Sequence, residues 1–226
     1  MNKRLLICPL SKELQFVLEY FYKKDLLIEE KSLNDYPIFF IPTRNLYCAF
    51  GGHGKAQFGI QTQFLISHLF SDLSSVFCVG AGGGLSDKVT ILDVVVGTQT
   101  VEHDYKERFD TRATIPVFDA DPYLINKFNL KKQFDFQVHF GNIASGDEDI
   151  VSIGRANELY NETKALVVAW EGVGGARACK FNKLPYVEIR AITDNASADA
   201  PSSFSKNLNN AMKNAMQLID EVLPTL

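Results

Sequence analysis

The chain has 226 residues, with 27 acidic and 23 basic side chains, a net charge of −4 and 46% apolar residues. That length suits one well-buried α/β domain spanning residues 1–226, and the apolar content excludes a disordered chain. The acidic balance speaks against a phosphate-tracking nucleic-acid binder, and no apolar run approaches the ~20 residues needed to cross a bilayer.

The first apolar run, Leu5-Leu6-Ile7-Cys8, is continuous and predicts a strand buried on both faces. Polar residues return at Ser11-Lys12-Glu13, so the basic start is not followed by a complete signal-peptide core. Pro9 stops the strand, and Leu10, Leu14, Val17, Leu18 and Phe21 then recur at helical spacing. Residues 36–42 and 46–50 read as strands joined by a turn at Thr43-Arg44-Asn45. Gly51-Gly52-His53-Gly54 ends the second and opens a helix whose apolar stripe includes Ile60, Phe64 and Leu65. Residues 76–79 predict a buried strand running out into a glycine loop, Gly80-Ala81-Gly82-Gly83-Gly84. Residues 94–96, 138–143, 166–168 and 187–192 are the remaining strands. After Pro201, an amphipathic helix runs from Phe204 through Leu208, Met212 and Ile219 to Leu223.

Strands alternating with helices predict a three-layer α/β domain with a mixed, mainly parallel central sheet flanked by helices. Ligands of such sheets collect where strands give way to loops at their carboxyl ends. The unusual residues cluster there: residues 51–54, 80–84, Ser145-Gly146-Asp147 and Thr193-Asp194.

The glycine loop is no dinucleotide fingerprint, because its third glycine is misplaced and no helix follows it. Gly51-Gly52-His53-Gly54-Lys55 lacks the spacing and hydroxyl residue of a Walker loop. The acidic residues are more informative. Glu171 follows the largely apolar stretch 166–170 at the start of a small-residue helix, where it could equally be a helix-terminal charge. Asp194 leaves a buried strand, where it could form an Asx turn, and Glu13 lies in the first turn of the first helix. His53, His68, His103 and His139 lack metal-ligand spacing, and His68 and His139 read as structural. Cys8, Cys48, Cys78 and Cys179 lie far apart, and read as reduced core thiols of a cytoplasmic protein.

Taken in order, these segments resemble the 5'-methylthioadenosine/S-adenosylhomocysteine nucleosidases, within the larger family of purine nucleoside phosphorylases and nucleosidases. The resemblance rests on residues 51–55, residues 80–85 with Asp93-Val94-Val95-Val96 and His103-Asp104, Ser145-Gly146-Asp147, Trp170-Glu171-Gly172, and Arg190 to Asp194. It covers most of the chain and is weakest over residues 25–46 and 111–136. It implies a nucleoside phosphorylase-like fold, no cofactor or metal, a small purine nucleoside as substrate, and a homodimer in which residues 103–112 help complete a neighbour's pocket. It also implies roles. Glu13 would activate water, Glu171 would bond the ribose hydroxyls, and Asp194 would protonate the departing purine. Ala81 and Gly82 would line sugar and base, Ile150 would offer backbone contacts to the base, Thr193 would also bind substrate, and Phe204 would close over the 5' side. Three positions depart from the pattern. His53 stands where an apolar residue lines the 5'-alkylthio pocket, Asp149 replaces the aromatic stacked on the base, and Trp170 replaces a methionine beside Glu171.

Two alternatives stay open. A phosphorolytic enzyme would need a cationic cradle, but Cys8-Pro9-Leu10-Ser11 lacks the phosphate arginine and Cys78 stands near where a second would be, leaving Lys12 as a point charge. A catalytically silent nucleoside-binding relative is the other. Lys106, Arg108 and Arg112, in the segment expected over the 5' side, favour a polar or anionic 5' extension such as that of futalosine; solvent-facing side chains are the plainer reading.

Overall fold

The computed structural model describes residues 3–109 and 114–226. From the N-terminus, β1 (Lys3–Cys8) leads into α1 (Ser11–Tyr22), the hairpin of β2 (Glu29–Leu33) and β3 (Tyr36–Ile41), then β4 (Leu46–Phe50) and α2 (Lys55–Leu69). β5 (Leu73–Gly84), β6 (Val94–Glu102), β7 (Val117–Asp119) and α3 (Pro122–Phe128) follow. β8 (Val138–Ser145), α4 (Ile153–Thr163), β9 (Ala165–Ala169), α5 (Gly172–Asn182), β10 (Tyr186–Asp194) and α6 (Ala200–Val222) complete the order.

β1 lies parallel between β4 and β5, and its apolar run is buried because helices cover both faces. Alternate side chains of β1, β5 and β10 enter different layers. Leu6, Phe77, Val79, Val187 and Ile189 pack with Val17 and Phe21 of α1 and Leu208, Met212 and Ile219 of α6. Leu5, Ile7, Val76 and Cys78 pack with Phe58 and Leu65 of α2 and Ala176 and Cys179 of α5. The expected mixed sheet between helical layers results. Parallel pairing joins β1 to β4 and β5, β5 to β10, and β8 to β6 and β9. On one side the sheet closes on itself, as β5, β10, β6, β8 and β9 pair in a ring whose closing pairs, β10–β6 and β9–β5, are antiparallel. Closure removes a sheet edge there. It also draws the ends of β5, β9 and β10 together.

Several local expectations change. Residues 80–84 are not a loop: they continue β5, pairing with β10 from Gly80↔Arg190 onward and with β9 through Gly83↔Val168. Crowding explains the glycine at the start of that run. A Cβ on Gly80 would lie 2.8 Å from Arg190 Nη1 and 2.9 Å from Glu13 Oε1. On α2, Ile60 is 71% exposed, and the buried stripe is Phe58, Leu65, Ile66 and Leu69. Of the expected stripe, Leu65 is buried and Phe64 packs against the same core, while Ile60 faces out, because apolar residues surround that helix. α6 begins at Ala200, with Pro201 in its first turn, where the missing N–H breaks no helical bond. β2, β7, α3 and α4 lie outside the strands and helices expected from periodicity. β2 is a polar edge strand with little burial, whereas α3 and α4 carry a readable signal in their caps. The Asp121 side chain accepts from Leu124 N–H at 3.0 Å, and the Ser152 hydroxyl from Arg155 N–H at 3.3 Å.

Among the described residues no helix is long and apolar enough to cross a membrane. The four cysteines are buried and unpaired.

Candidate active site

A cavity of about 450 Å³ opens where β5, β9 and β10 end, and the residues singled out from the sequence meet on its walls. Glu13, His53, Ala81, Gly82, Asp149, Ile150, Trp170, Glu171, Thr193, Asp194 and Phe204 all line it. The larger depression, about 680 Å³, lies elsewhere between α1 and α6. Its lysines, Lys23, Lys24, Lys132 and Lys213, ring an open groove that holds none of these carboxylates.

The three carboxylates reach the cavity from three elements and are 2% (Glu13), 4% (Glu171) and 7% (Asp194) exposed. Glu13 leaves the first turn of α1. Its Oε2 accepts from Leu10 N–H at 2.9 Å and its Oε1 from Ala81 N–H at 2.8 Å, which ties the helix to β5. Burial pushes its carboxyl up to about 7, against the opposing pull of the Arg190 guanidinium. Glu171 occupies the N-cap of α5, yet its side chain makes no cap bond. It turns into the cavity, where Oε1 lies 3.0 Å from His53 Nδ1 and accepts from Gly54 N–H at 3.4 Å. Its Oε2 accepts from Arg190 Nη2 at 3.3 Å. Asp194 ends β10. Its Oδ1 accepts from Ala196 N–H at 2.9 Å, an Asx turn, and its Oδ2 from the Thr193 hydroxyl at 2.9 Å. The bland reading of Asp194 therefore holds alongside its place in the cavity. Burial raises its carboxyl above the ordinary aspartate value.

Arg190 is the site residue whose importance the sequence reading passed over. It is 1% exposed and lines the cavity. Its Nε donates to Glu188 Oε1 at 2.7 Å and its Nη1 to the Ala81 carbonyl at 3.1 Å. A signal was available: Glu188 and Arg190 occupy alternate positions of an otherwise apolar stretch, residues 187–192, hence one face of the strand.

His53 lines the cavity beside Glu171. It bonds Glu171 and stacks on Trp170, with ring centroids 4.3 Å apart and planes 22° from parallel. The remaining motif residues bond one another. Lys55 Nζ donates to Glu102 Oε1 at 3.0 Å and to Asp104 Oδ1 at 2.5 Å. Asp147 Oδ1 accepts from Lys55 N–H at 2.8 Å, and Asp104 Oδ2 from Asp147 N–H at 2.9 Å. Three separate segments are thereby fastened together. His68 and His139 play structural parts, at 2.9 Å from the Phe64 carbonyl and 2.9 Å from Asp93 Oδ2. Lys106 and Arg108 are exposed and do not line the cavity, while Arg112 lies outside the described residues. Among the described residues no group of three or more His, Cys, Asp or Glu side chains is arranged to hold a metal ion.

The family model described as the Phosphorylase superfamily matches residues 3–224. A 5'-methylthioadenosine/S-adenosylhomocysteine nucleosidase of Mycobacterium tuberculosis (strain CDC 1551 / Oshkosh) is 24% identical over 97% of this chain and 96% of its own. A Helicobacter pylori nucleosidase mutant solved with 5'-methylthioadenosine in its active site superposes with a TM-score of 0.88 at 24% identity, covering 100% of both chains. The futalosine hydrolase of Helicobacter pylori strain 26695 superposes with a TM-score of 0.87 at 24% identity, over 100% of this chain and 98% of that one. At such identity the two solved structures show a shared fold.

Proposed function

The chain belongs to the phosphorylase superfamily, and from that premise we propose that it is a purine nucleosidase, hydrolysing the N-glycosidic bond of a 5'-modified purine nucleoside to free base and a ribose derivative. The observation that carries this reading is the convergence of three buried carboxylates on one cavity, two of them with raised carboxyls. The named activities of its relatives, on methylthioadenosine, S-adenosylhomocysteine and futalosine, agree with it.

The chemistry assigns each carboxylate a task. A purine anion leaves poorly, so protonated Asp194 delivers its proton to N7 as the C1'–N9 bond breaks. The ribose becomes oxocarbenium-like, and ionised Glu171, bonded to the ribose hydroxyls, stabilises that positive charge. Ionised Glu13 takes a proton from water as the oxygen adds to C1'. One proton leaves Asp194 and one arrives at Glu13, so exchange with solvent restores both. Ala81, Gly82 and Thr193 would flank sugar and base, Ile150 and Asp149 would edge the base, and Phe204 would cover the 5' side.

Water rather than phosphate is the nucleophile in this reading. Arg190 is the only arginine or lysine on the cavity wall among the described residues, and Glu188 and Glu171 already engage it. Lys12 is exposed and lies off the cavity. A nucleoside panel assayed for free base is expected to show equal rates with and without phosphate. Release of ribose-1-phosphate that depends strictly on phosphate would replace this reading with phosphorolysis, and no turnover at all would favour a silent binder.

At the 5' end we read His53 as the selecting residue. Its Nδ1 is committed to Glu171, which accepts the proton, and its ring is held by Trp170. The opposite nitrogen is left to meet a polar 5' group, as in S-adenosylhomocysteine or futalosine. His53→Ile removes the bond to Glu171 for every substrate and the bond to the 5' group only for the polar ones, and is expected to shift the kcat/KM ratio roughly tenfold towards methylthioadenosine. The idea fails if methylthioadenosine is already the best substrate, or if the ratio does not move.

Residues 1–226 act as one unit in this reading, since the cavity draws on residues from Pro9 to Phe204. A homodimer is supported by the outward apolar side chains of neighbouring helices, Ile60 of α2 and Phe181 of α5, and by exposed Tyr105 and Phe109 in the segment expected to reach a partner. A cytoplasmic setting agrees with four unpaired thiols. The proposed chemistry calls for no cofactor.

A further inference from the structure

We propose that Glu188 is a positioning residue of this site: held by Thr100 behind Arg190, it fixes the guanidinium that orients Glu171 and acts on Glu13. The proposal rests on the nucleosidase reading and adds a residue outside the cavity wall.

Glu188 is 1% exposed, with both oxygens engaged. Oε1 accepts from Arg190 Nε at 2.7 Å, and Oε2 accepts from the Thr100 hydroxyl at 2.7 Å. Arg190 is therefore held more closely by Glu188 than by Glu171, whose Oε2 lies 3.3 Å from Nη2. A carboxylate placed so deeply needs sources of compensating positive potential. The guanidinium supplies one, and the first turn of α5 supplies another, because Glu188 lies under its N-terminal residue. A Cβ on Gly172 would come within 1.9 Å of Glu188 Oε2, so only glycine leaves room for the carboxylate there. Glu171 precedes that glycine. The placement of α5, of Arg190 and of Glu171 thus meets at one buried carboxylate.

The groups surrounding Arg190 are Glu188 on its own strand, Glu171 at the start of α5, Glu13 on α1 and the Cys78 thiol on β5. Those around Glu13 are Arg190 and Glu171, with the Cys8 thiol close by. One cation thus serves three carboxylates. Its closest carboxylate partner, Glu188, partly neutralises the guanidinium that favours the charged form of Glu13, and so opposes ionisation of Glu13. Removing the Glu188 charge leaves the guanidinium free to favour the Glu13 carboxylate.

The test is the pH profile of kcat/KM for the best nucleoside in the panel, with melting temperature as a check on folding. In Glu188→Gln the limb that rises as Glu13 ionises is expected to move to lower pH by about one unit. Its kcat is expected to fall roughly 10- to 100-fold with KM little changed, because Glu171 loses the fixed guanidinium on its Oε2 side and is oriented less well. Glu188→Asp, which keeps the charge, is expected to return the limb towards the wild-type position. Thr100→Val frees one oxygen without removing a charge, and is expected to lower kcat several-fold with the limb in place. A folded Glu188→Gln protein with an unmoved limb would overturn the proposal. If that variant does not fold, wild-type kcat in Thr100→Val overturns it. The underlying reading fails separately: wild-type protein with no limb near pH 7, or full activity in Glu13→Gln, removes Glu13 as the base whatever Glu188 does.

Discussion

Asp194→Asn is expected to lower kcat for purine nucleosides by ~10²–10⁴-fold, the range for loss of a general acid, with KM little changed. The substitution is nearly isosteric. Asn keeps an oxygen to accept from Ala196 N–H, so the Asx turn that ends β10 survives. What it loses is the transferable proton, which the buried aspartate retains at higher pH than an exposed one. A ribosyl substrate whose leaving group departs without protonation, such as nitrophenolate, provides the internal control. On that substrate the variant is expected to recover most of the wild-type rate. Steady-state release of free base, measured alongside nitrophenolate release, checks both statements. Equal losses on the two substrates would assign Asp194 a purely structural part.

Glu13→Gln carries the second large effect, also ~10²–10⁴-fold, as expected when a general base is removed. The acid–base behaviour makes this more specific than a simple loss. Water activation needs the carboxylate, and burial raises the Glu13 carboxyl from 4.5 to about 7. Wild-type kcat/KM should therefore climb as pH rises through about 7, and Glu13→Gln should lose that limb. Stability has the opposite trend. A folded-state value above the unfolded one means the protonated group favours the fold, so its contribution is fully present below about 4.5 and is lost as pH rises through about 7. Chemical denaturation of wild-type protein and Glu13→Gln from pH 4 to 9 should show a stability decline in the former that is flattened in the latter. Parallel stability curves would mean that Glu13 ionises normally in the folded protein.

Much of the site was legible because its residues break local rules. Glu171 after an apolar stretch and Asp194 at the end of a buried strand sit where packing alone would place something else. Each had a bland explanation, and the structure separates them differently: Glu171 makes no helix cap, whereas Asp194 does make its turn. Glu13 had the weakest local signal, since a glutamate in a first helical turn is ordinary. Only the approach of β5, with Ala81 N–H at 2.8 Å, makes it a buried group.

The sequence by itself determined the alternation of strands and helices, the two-faced burial of β1, and the order of the motif loops, because these follow from short-range periodicity and turn chemistry. Tertiary structure alone decided what depends on contacts between distant segments. The ring of β5, β10, β6, β8 and β9 made a strand of the glycine run, since hydrogen-bond partners from two neighbours outweigh the weak strand preference of glycine. It decided which side of α2 is buried, because an all-round apolar helix takes its orientation from what it packs against. It also decided the partners of Arg190 and His53. A buried charge is tolerable only beside its counter-charges, and for Arg190 one of these, Glu171, comes from another element, while His53 meets Glu171 from 118 positions away. Sequence spacing cannot express that separation.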